Sequence, residues 1–141
     1  MITTIIGNVL EDQGSIGHCV SSDLKMSKGI AKDFKEKFGG LLELQKQRRN
    51  VGNVIFIKRR GRYIFYMITK RHYWLKPSYS SMWKALSNLN IILLNLQIKR
   101  IALPKIGQGL DKLKWSKVEA QIRNCIDDSI EVIIYVLPNS A

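Results

Sequence analysis

Short β-branched and aromatic runs alternate along this chain with longer segments of helical period, and that alternation leaves few folds open. "TTIIGN" (3–8), "IGHCVS" (16–21), "RIALPKI" (100–106) and "IEVIIYVL" (130–137) have the length and composition of strands. "NVIFIKRRGRYIFYMITK" (53–70) reads as two strands joined by a tight basic turn at Arg59 to Gly61. Helical segments lie between these runs. In "MSKGIAKDFKEKFGG" (26–40), Ile30, Phe34 and Phe38 recur four apart, Ala31 widens the stripe, and Gly39 and Gly40 supply the stop. A short helix is predicted at "LLELQKQ" (41–47). "SYSSMWKALSNLNIILLNL" (78–96) follows Pro77, with Ser78 or Ser80 as its cap. "KWSKVEAQIRNCIDD" (114–128) places Trp115, Val118, Ile122 and Ile126 on one face. The order β-β-α-β-β-α-β-α-β predicts an α/β fold: a mixed, mostly parallel central sheet with helices on both faces. At 141 residues the chain is expected to form one domain, 1–141, with one good core.

Composition removes several classes of function. The longest apolar runs are strand-sized or the helix-like "IILLNL", well short of the roughly eighteen apolar residues of a membrane span. "MITTIIGNVLEDQG" has no basic region before its apolar piece and soon meets Glu11 and Asp12, so it is not read as a secretory signal. Cys19 and Cys125 lie far apart without metal-type spacing, and only His18 and His72 could complete a zinc site. The expectation is an intracellular protein, nuclear or cytoplasmic, with two small core cysteines, no metal, no cofactor and no membrane contact. The net charge of +12 attracts polyanions. "KQRRN", "KRRGR" and "TKRH" concentrate that charge between Lys46 and His72, where no acid occurs. This tract is either a solvated basic face or an electrostatic funnel for a polyanion such as nucleic acid, a nucleotide or an acidic modification.

The stretch "LPKIGQGLDKLKW" (103–115) carries the most specific local signal. It runs from a strand into two glycines one residue apart and then a carboxylate. It lacks the third glycine of a dinucleotide fingerprint and the Gly-Lys-Ser/Thr of a P-loop. A glycine pair at a strand end still suits a loop whose backbone N–H groups turn toward a phosphate, against the plain alternative of a strand-to-helix connection. Lys70 ends an apolar strand, where a lysine is ordinarily a solvated terminus. His18 follows a strand start and is read as a packed core histidine sooner than a ligand. In sheets of this type ligands sit outside the carboxyl ends of the strands. That places the loop after "IGHCVS", the end of "IFYMITK" and "GQGLD" on one rim.

With these segments in order, the chain resembles a macrodomain, and specifically the branch of the terminal ADP-ribose protein glycohydrolases, which release ADP-ribose from glutamate. "GHCVSSDLKMSKGIAKDFKEKFGG" is similar to that branch's "AHC-S-D--M-AGIA--FK-KFGG" pattern. "GRYIFYMITK" and "KPSY" resemble its central strand and the following helix start. "LPKIGQGLDKLKW" resembles its phosphate loop and catalytic aspartate, and "YVL" its last strand. The similarity covers nearly the whole chain.

The resemblance implies a three-layer α/β/α macrodomain that binds ADP-ribose in a cleft as a monomer. It implies Asn8 and Val9 at the adenine. Ser21 and the "MSKGIA" loop, with Met26, Gly29 and Ile30, would lie near the distal ribose. Lys105, Ile106, Gly107, Gln108, Gly109 and Leu110, with Asp111, would form the loop around the diphosphate and distal ribose, and Tyr135 and Leu137 would close over the adenine end. Lys70 matches the nucleophile and Asp111 the acid/base residue. The implied activity is hydrolysis of glutamate-linked ADP-ribose on modified proteins. The alternatives are a non-catalytic ADP-ribose or poly(ADP-ribose) binding module, an ADP-ribose 1″-phosphate phosphatase and an O-acetyl-ADP-ribose deacetylase. Four positions depart from the family pattern: Asn8 replaces an Asp, Ser27 and Lys28 replace small residues, and Gln108 replaces a smaller one.

Overall fold

In a computed structural model that describes residues 1–108 and 112–138, all six strand-like runs pair into one sheet. They are β1 (Ile2–Ile6), β2 (Ile16–Ser21), β3 (Val54–Arg59), β4 (Arg62–Lys70), β5 (Arg100–Pro104) and β6 (Glu131–Val136). The spatial order is β1-β6-β5-β2-β4-β3. Every neighbouring pair is parallel except β3 with β4, which form the antiparallel hairpin at one edge. The helices are α1 (Gly29–Phe38), α2 (Leu41–Gln45), α3 (Tyr79–Asn95) and α4 (Trp115–Cys125). This is the three-layer α/β/α arrangement that the alternating pattern predicts.

The two faces of the sheet bury separate sets of side chains. Helices α3 and α4 lay Met82, Leu86, Leu89, Val118 and Ile122 over Phe65, Met67, Leu103 and Ile134. Phe34 of α1 and Leu44 of α2 cover Ile64, Tyr66, Ile68 and Ile133 on the other face. Strand β4 therefore reads as one continuous apolar run because alternate residues are buried on opposite faces. His18 belongs to the α1 side. It is fully buried, stacks on Phe34 with ring centroids 3.8 Å apart and meets Tyr66 edge-on at 4.9 Å. Burial pushes its imidazole down to about 3, so it is neutral in the fold. Cys19 and Cys125 are half-buried and pack against the core.

Local chemistry sets the ends of the elements. Of the two candidate caps for α3, Ser78 takes the role: the Ser81 N–H donates to Ser78 Oγ at 2.9 Å, and the Ser78 N–H donates to Ser81 Oγ at 3.0 Å. Helix α1 starts at Gly29, three residues beyond the start of the predicted segment. Met26 (φ 43°) holds left-handed backbone that a right-handed helix cannot include, and Gly29, at the helix start, still has a positive φ of 60°. At Gly40 the left-handed backbone (φ 74°) favours glycine, and a Cβ there would push aside the tips of Arg59 (Nη2 at 2.8 Å) and Ile57 (Cδ1 at 2.9 Å). One element has no counterpart in the sequence reading, a short 3-10 helix at Val9–Glu11 capped by Asn8.

Candidate functional site

Because β1, β2, β4, β5 and β6 run parallel, their carboxyl ends share one edge of the sheet, and the loops leaving it enclose a cleft of two lobes. The first lobe, about 300 Å³, is walled by Val20 and Ser21 at the end of β2 and by Met26 to Ala31. Thr69 and Lys70 at the end of β4, with Cys19, Tyr73 and Gln108, complete it. The second, about 320 Å³, is walled by Gly7 to Val9 after β1, by Pro104 at the end of β5 and Lys105 after it, and by Tyr135 to Leu137 at the end of β6. Ile30 and Gln108 line both lobes, which meet there.

The first lobe rests on an unusual loop. Leu24 (φ 54°) and Met26 (φ 43°) are buried with left-handed backbone, a conformation costing about 1–3 kcal/mol per residue. Asp23 ties this loop to the one after β4. Its Oδ1 accepts from Ser21 Oγ at 2.5 Å and from the Lys25 N–H at 3.2 Å, and its Oδ2 accepts from the Tyr73 N–H at 3.1 Å. Burial alone would raise the Asp23 carboxyl, but these hydrogen bonds outweigh it and hold the group below the usual carboxylate range. No side chain caps α1, whose first residues, Gly29 to Ala31, line the lobe; such a helix start favours an anion.

The second lobe is held differently. Asn8 Oδ1 accepts from the Leu10 N–H at 2.9 Å, and the Gly7 N–H donates to the Val136 carbonyl at 2.9 Å. The Tyr135 hydroxyl donates to Asp12 Oδ2 at 2.7 Å, and Asp12 also receives both Arg100 Nη groups at 2.9 Å. The Arg100 hydrogen bonds chiefly hold the Asp12 carboxyl down to about 2 against the opposing effect of burial. Between the lobes, Gln108 Nε2 donates to the Leu113 carbonyl, and the Leu113 N–H returns to the Gly107 carbonyl at 2.7 Å.

No family model matches the sequence, but individual proteins do. The human protein named ADP-ribose glycohydrolase OARD1 is 40% identical over 124 residues, covering 87% of this chain and 82% of that one. The macrodomain of Thermus aquaticus DarG superimposes with a TM-score of 0.86 at 25% identity, over 96% of this chain and 97% of that one. The chain belongs to the macrodomain family. Its similarities fall on the branch of the terminal ADP-ribose glycohydrolases. A Thermus aquaticus protein named DNA ADP-ribosyl glycohydrolase is 30% identical over 96% of this macrodomain, which spans only 41% of that longer chain.

Within this macrodomain, Ser21, Met26, Gly29, Ile30, Gln108 and Lys70 line the first lobe. Asn8, Val9, Ile30, Lys105, Gln108, Tyr135 and Leu137 line the second. Ile106 turns its side chain into the core at 3% exposure, and Gly107 (φ 77°) faces Leu113 and Val118, so neither side of that dipeptide offers a side chain to the cleft. Gly109, Leu110 and Asp111 lie outside the described residues. Lys105 reaches the face of Trp115, 5.6 Å from the ring centroid.

Sequence reasoning passed over Tyr73 and Thr69, which line the Lys70 lobe. The available signal was the aromatic cluster in "RHYWLK" directly after Lys70. There His72 and Trp74 stack with planes 2° apart, and Trp74 is 64% exposed. The basic tract divides in space. At the hairpin end, Arg59 pairs with Glu43 at 2.8 Å and Arg62 donates to the carbonyls of Asp12 and Gly14. At the cleft end, Arg71 is exposed, as are Lys25, Lys28 and Lys76 of the loops that follow β2 and β4. Eight residue-to-residue steps of strand, about 26 Å, separate Arg62 from Lys70. Among the described residues no group of three or more His, Cys, Asp and Glu could hold a metal ion, and no helix is long and apolar enough to cross a membrane.

Proposed function

We propose that this macrodomain is a hydrolase that removes ADP-ribose from glutamate-linked ADP-ribosylated proteins, acting as a monomer in which 1–141 form one unit. The adenine end of the nucleotide occupies the lobe of Asn8, Val9 and Tyr135. The diphosphate lies along Gln108 and the open start of α1, and the distal ribose enters the Lys70 lobe. The observation that carries this reading is the placement of Lys70 in the wall of a lobe that joins a second, base-sized lobe at Ile30 and Gln108. The activity in the name of the human relative supports it.

In the proposed chemistry the neutral Lys70 amine bonds to the anomeric carbon of the distal ribose, and the glutamate carboxylate leaves with the bonding pair of the ester. Ring opening gives an imine between lysine and sugar. Water adds to that imine, and its collapse frees ADP-ribose and restores the amine. Asp111 supplies and accepts the protons at the ribose, a role worth on the order of a hundred- to ten-thousand-fold in rate. Glutamate-linked mono-ADP-ribosylated protein should lose its label on incubation with wild type and keep it with Lys70→Ala. Borohydride should trap ADP-ribose on wild type alone. Full turnover by Lys70→Ala removes the covalent step, and an inactive wild type that still binds ADP-ribose identifies a binding module.

A second reading, with the same cleft acting on ADP-ribose carried by nucleic acid, is favoured by the surface outside the Lys70 lobe. The stacked His72 and Trp74, with Tyr73 at 45% exposure and the surrounding cations, form a platform of the kind on which unpaired bases stack. The name of the longer Thermus aquaticus relative points the same way. Turnover of strand-linked and glutamate-linked substrates by wild type and Trp74→Ala separates the two: a loss confined to the strand-linked substrate assigns the platform to nucleic acid.

A further inference from the structure

We infer that Asp12, which lines neither lobe, is a positioning residue that fixes the spacing of both walls of the Tyr135 lobe. The inference rests on the reading of that lobe as the seat of the adenine. Asp12 closes the 3-10 helix at Val9–Glu11, and its side chain is 4% exposed. Its carboxylate accepts from Arg100 Nη1 and Nη2, from the Tyr135 hydroxyl and from the Gly14 N–H at 2.9 Å, which fills the acceptor capacity of two oxygens.

Those bonds join the two walls. One wall, Asn8 and Val9, is the start of the turn that Asp12 ends: the Glu11 N–H donates to the Asn8 carbonyl at 2.9 Å and the Asp12 N–H to the Val9 carbonyl at 3.1 Å. The other wall is the Tyr135 ring, which packs against Gly7, where an added Cβ would meet Cδ2 at 3.4 Å. Through its hydroxyl the ring is tied to the same carboxylate. Arg100 anchors that carboxylate to β5 and reaches Glu131 of β6 at 3.3 Å, while Arg62 of β4 donates to the Asp12 carbonyl. A flat aromatic base needs two walls at a fixed separation, and here one buried group sets it.

A buried ion pair is a weak source of net stability, because desolvation offsets much of its Coulombic gain. Direction is what this one adds: the Tyr135 hydroxyl donates to the carboxylate, which Arg100, itself close to that hydroxyl, holds in place. The conservative probe is Tyr135→Phe, which keeps the ring and the Asp12–Arg100 pair and removes only the tether.

The test is calorimetry of ADP-ribose, AMP and ribose 5-phosphate with wild type, Tyr135→Phe, Asp12→Asn and the double variant, together with steady-state kinetics. Tyr135→Phe and Asp12→Asn should each weaken ADP-ribose and AMP by about tenfold and raise KM, with kcat within about twofold and ribose 5-phosphate unchanged. The double variant should lose no more than Asp12→Asn alone, since the hydroxyl acts through the carboxylate. A purely structural role would lower the unfolding temperature and leave KM and the affinity of the folded protein where they were; that result, or additive losses, overturns the inference. Should Asp12→Asn fail to fold, Tyr135→Phe alone decides, and unchanged AMP affinity there rejects the tether. Wild type that binds neither ADP-ribose nor AMP rejects the adenine lobe itself, an outcome distinct from variants that bind as wild type does.

Discussion

At Tyr135 the cleft wall is fixed by charge: a carboxylate with four donors, a bidentate arginine and a phenol held at 2.7 Å. At Lys70 it is fixed by backbone: a loop with left-handed turns at Leu24 and Met26, a register shift between Val20 and Ser21, and an uncapped helix start. The contrast suits two tasks. A rigid flat ligand is selected by walls that do not yield. A sugar that changes shape during reaction is better met by an irregular loop that brings several backbone groups and one lysine together.

The strongest way to break this comparison is Lys70→Ala. Turnover should fall by at least about a hundredfold while ADP-ribose affinity stays within about twofold, since the base lobe is untouched. Parallel losses in single-turnover rate and calorimetric affinity would mean that the lobes do not divide the work.

Acid should undermine the two regions in sequence. His18 lies in the β2–α1 layer under the Lys70 lobe with its group held down to about 3, against an ordinary 6.5. The unfolded chain therefore takes up a proton that the fold refuses, and stability falls as pH drops from about 6.5 toward 3, by at most about 5 kcal/mol. Asp12 is held charged down to about 2 against 3.8, so its contribution is lost only as pH falls through that lower window. In urea titrations across pH, His18→Leu should flatten the upper slope and Asp12→Asn the lower. A His18→Leu profile identical to wild type would remove the histidine from the account.

Gly29→Ala sharpens the comparison on the loop side. An added Cβ meets nothing within 4 Å, so the cost is conformational alone, about 1 kcal/mol for a residue at φ 60°. Chemical denaturation should show that loss and kcat should fall with it, while AMP affinity holds. The smallest effect is electrostatic. Arg71→Glu and Lys76→Glu should weaken binding to poly(ADP-ribose) severalfold at low salt and have little effect at high salt. Arg59→Glu and Arg62→Glu, on partners at the far end of β4, should instead lower the unfolding temperature.

The sequence carried the fold because it is written in short-range terms. Strand runs, the four-residue recurrence of Ile30, Phe34 and Phe38, and the serines after Pro77 are all legible within a dozen residues. The lobes were legible in part for the same reason, since Ser21 and Lys70 end strands, Gln108 follows one, and parallel strands end on one edge. The Asp12–Arg100–Tyr135 set was not, because its members stand 88 and 123 positions from Asp12 and meet only once β5 and β6 are paired. The 3-10 helix at Val9–Glu11 was missed because a single turn has no period to detect. Tyr73 was hidden for another reason: the run after Lys70 was weighed for its charge, and its rings were not.

The hydroxyl of Ser81 also donates to the Thr69 carbonyl at 2.7 Å, so the start of α3 is pinned to the residue before Lys70. The segment 71–77 is thereby a loop whose two ends are fastened to each other independently of what lies between. Such a segment works as an interchangeable cassette: its rings and charges can be exchanged to recognise a different carrier of the sugar, and the lysine stays where the helix start holds it. Grafting a foreign loop between Lys70 and Ser78 should therefore alter the choice of substrate before it alters the chemistry.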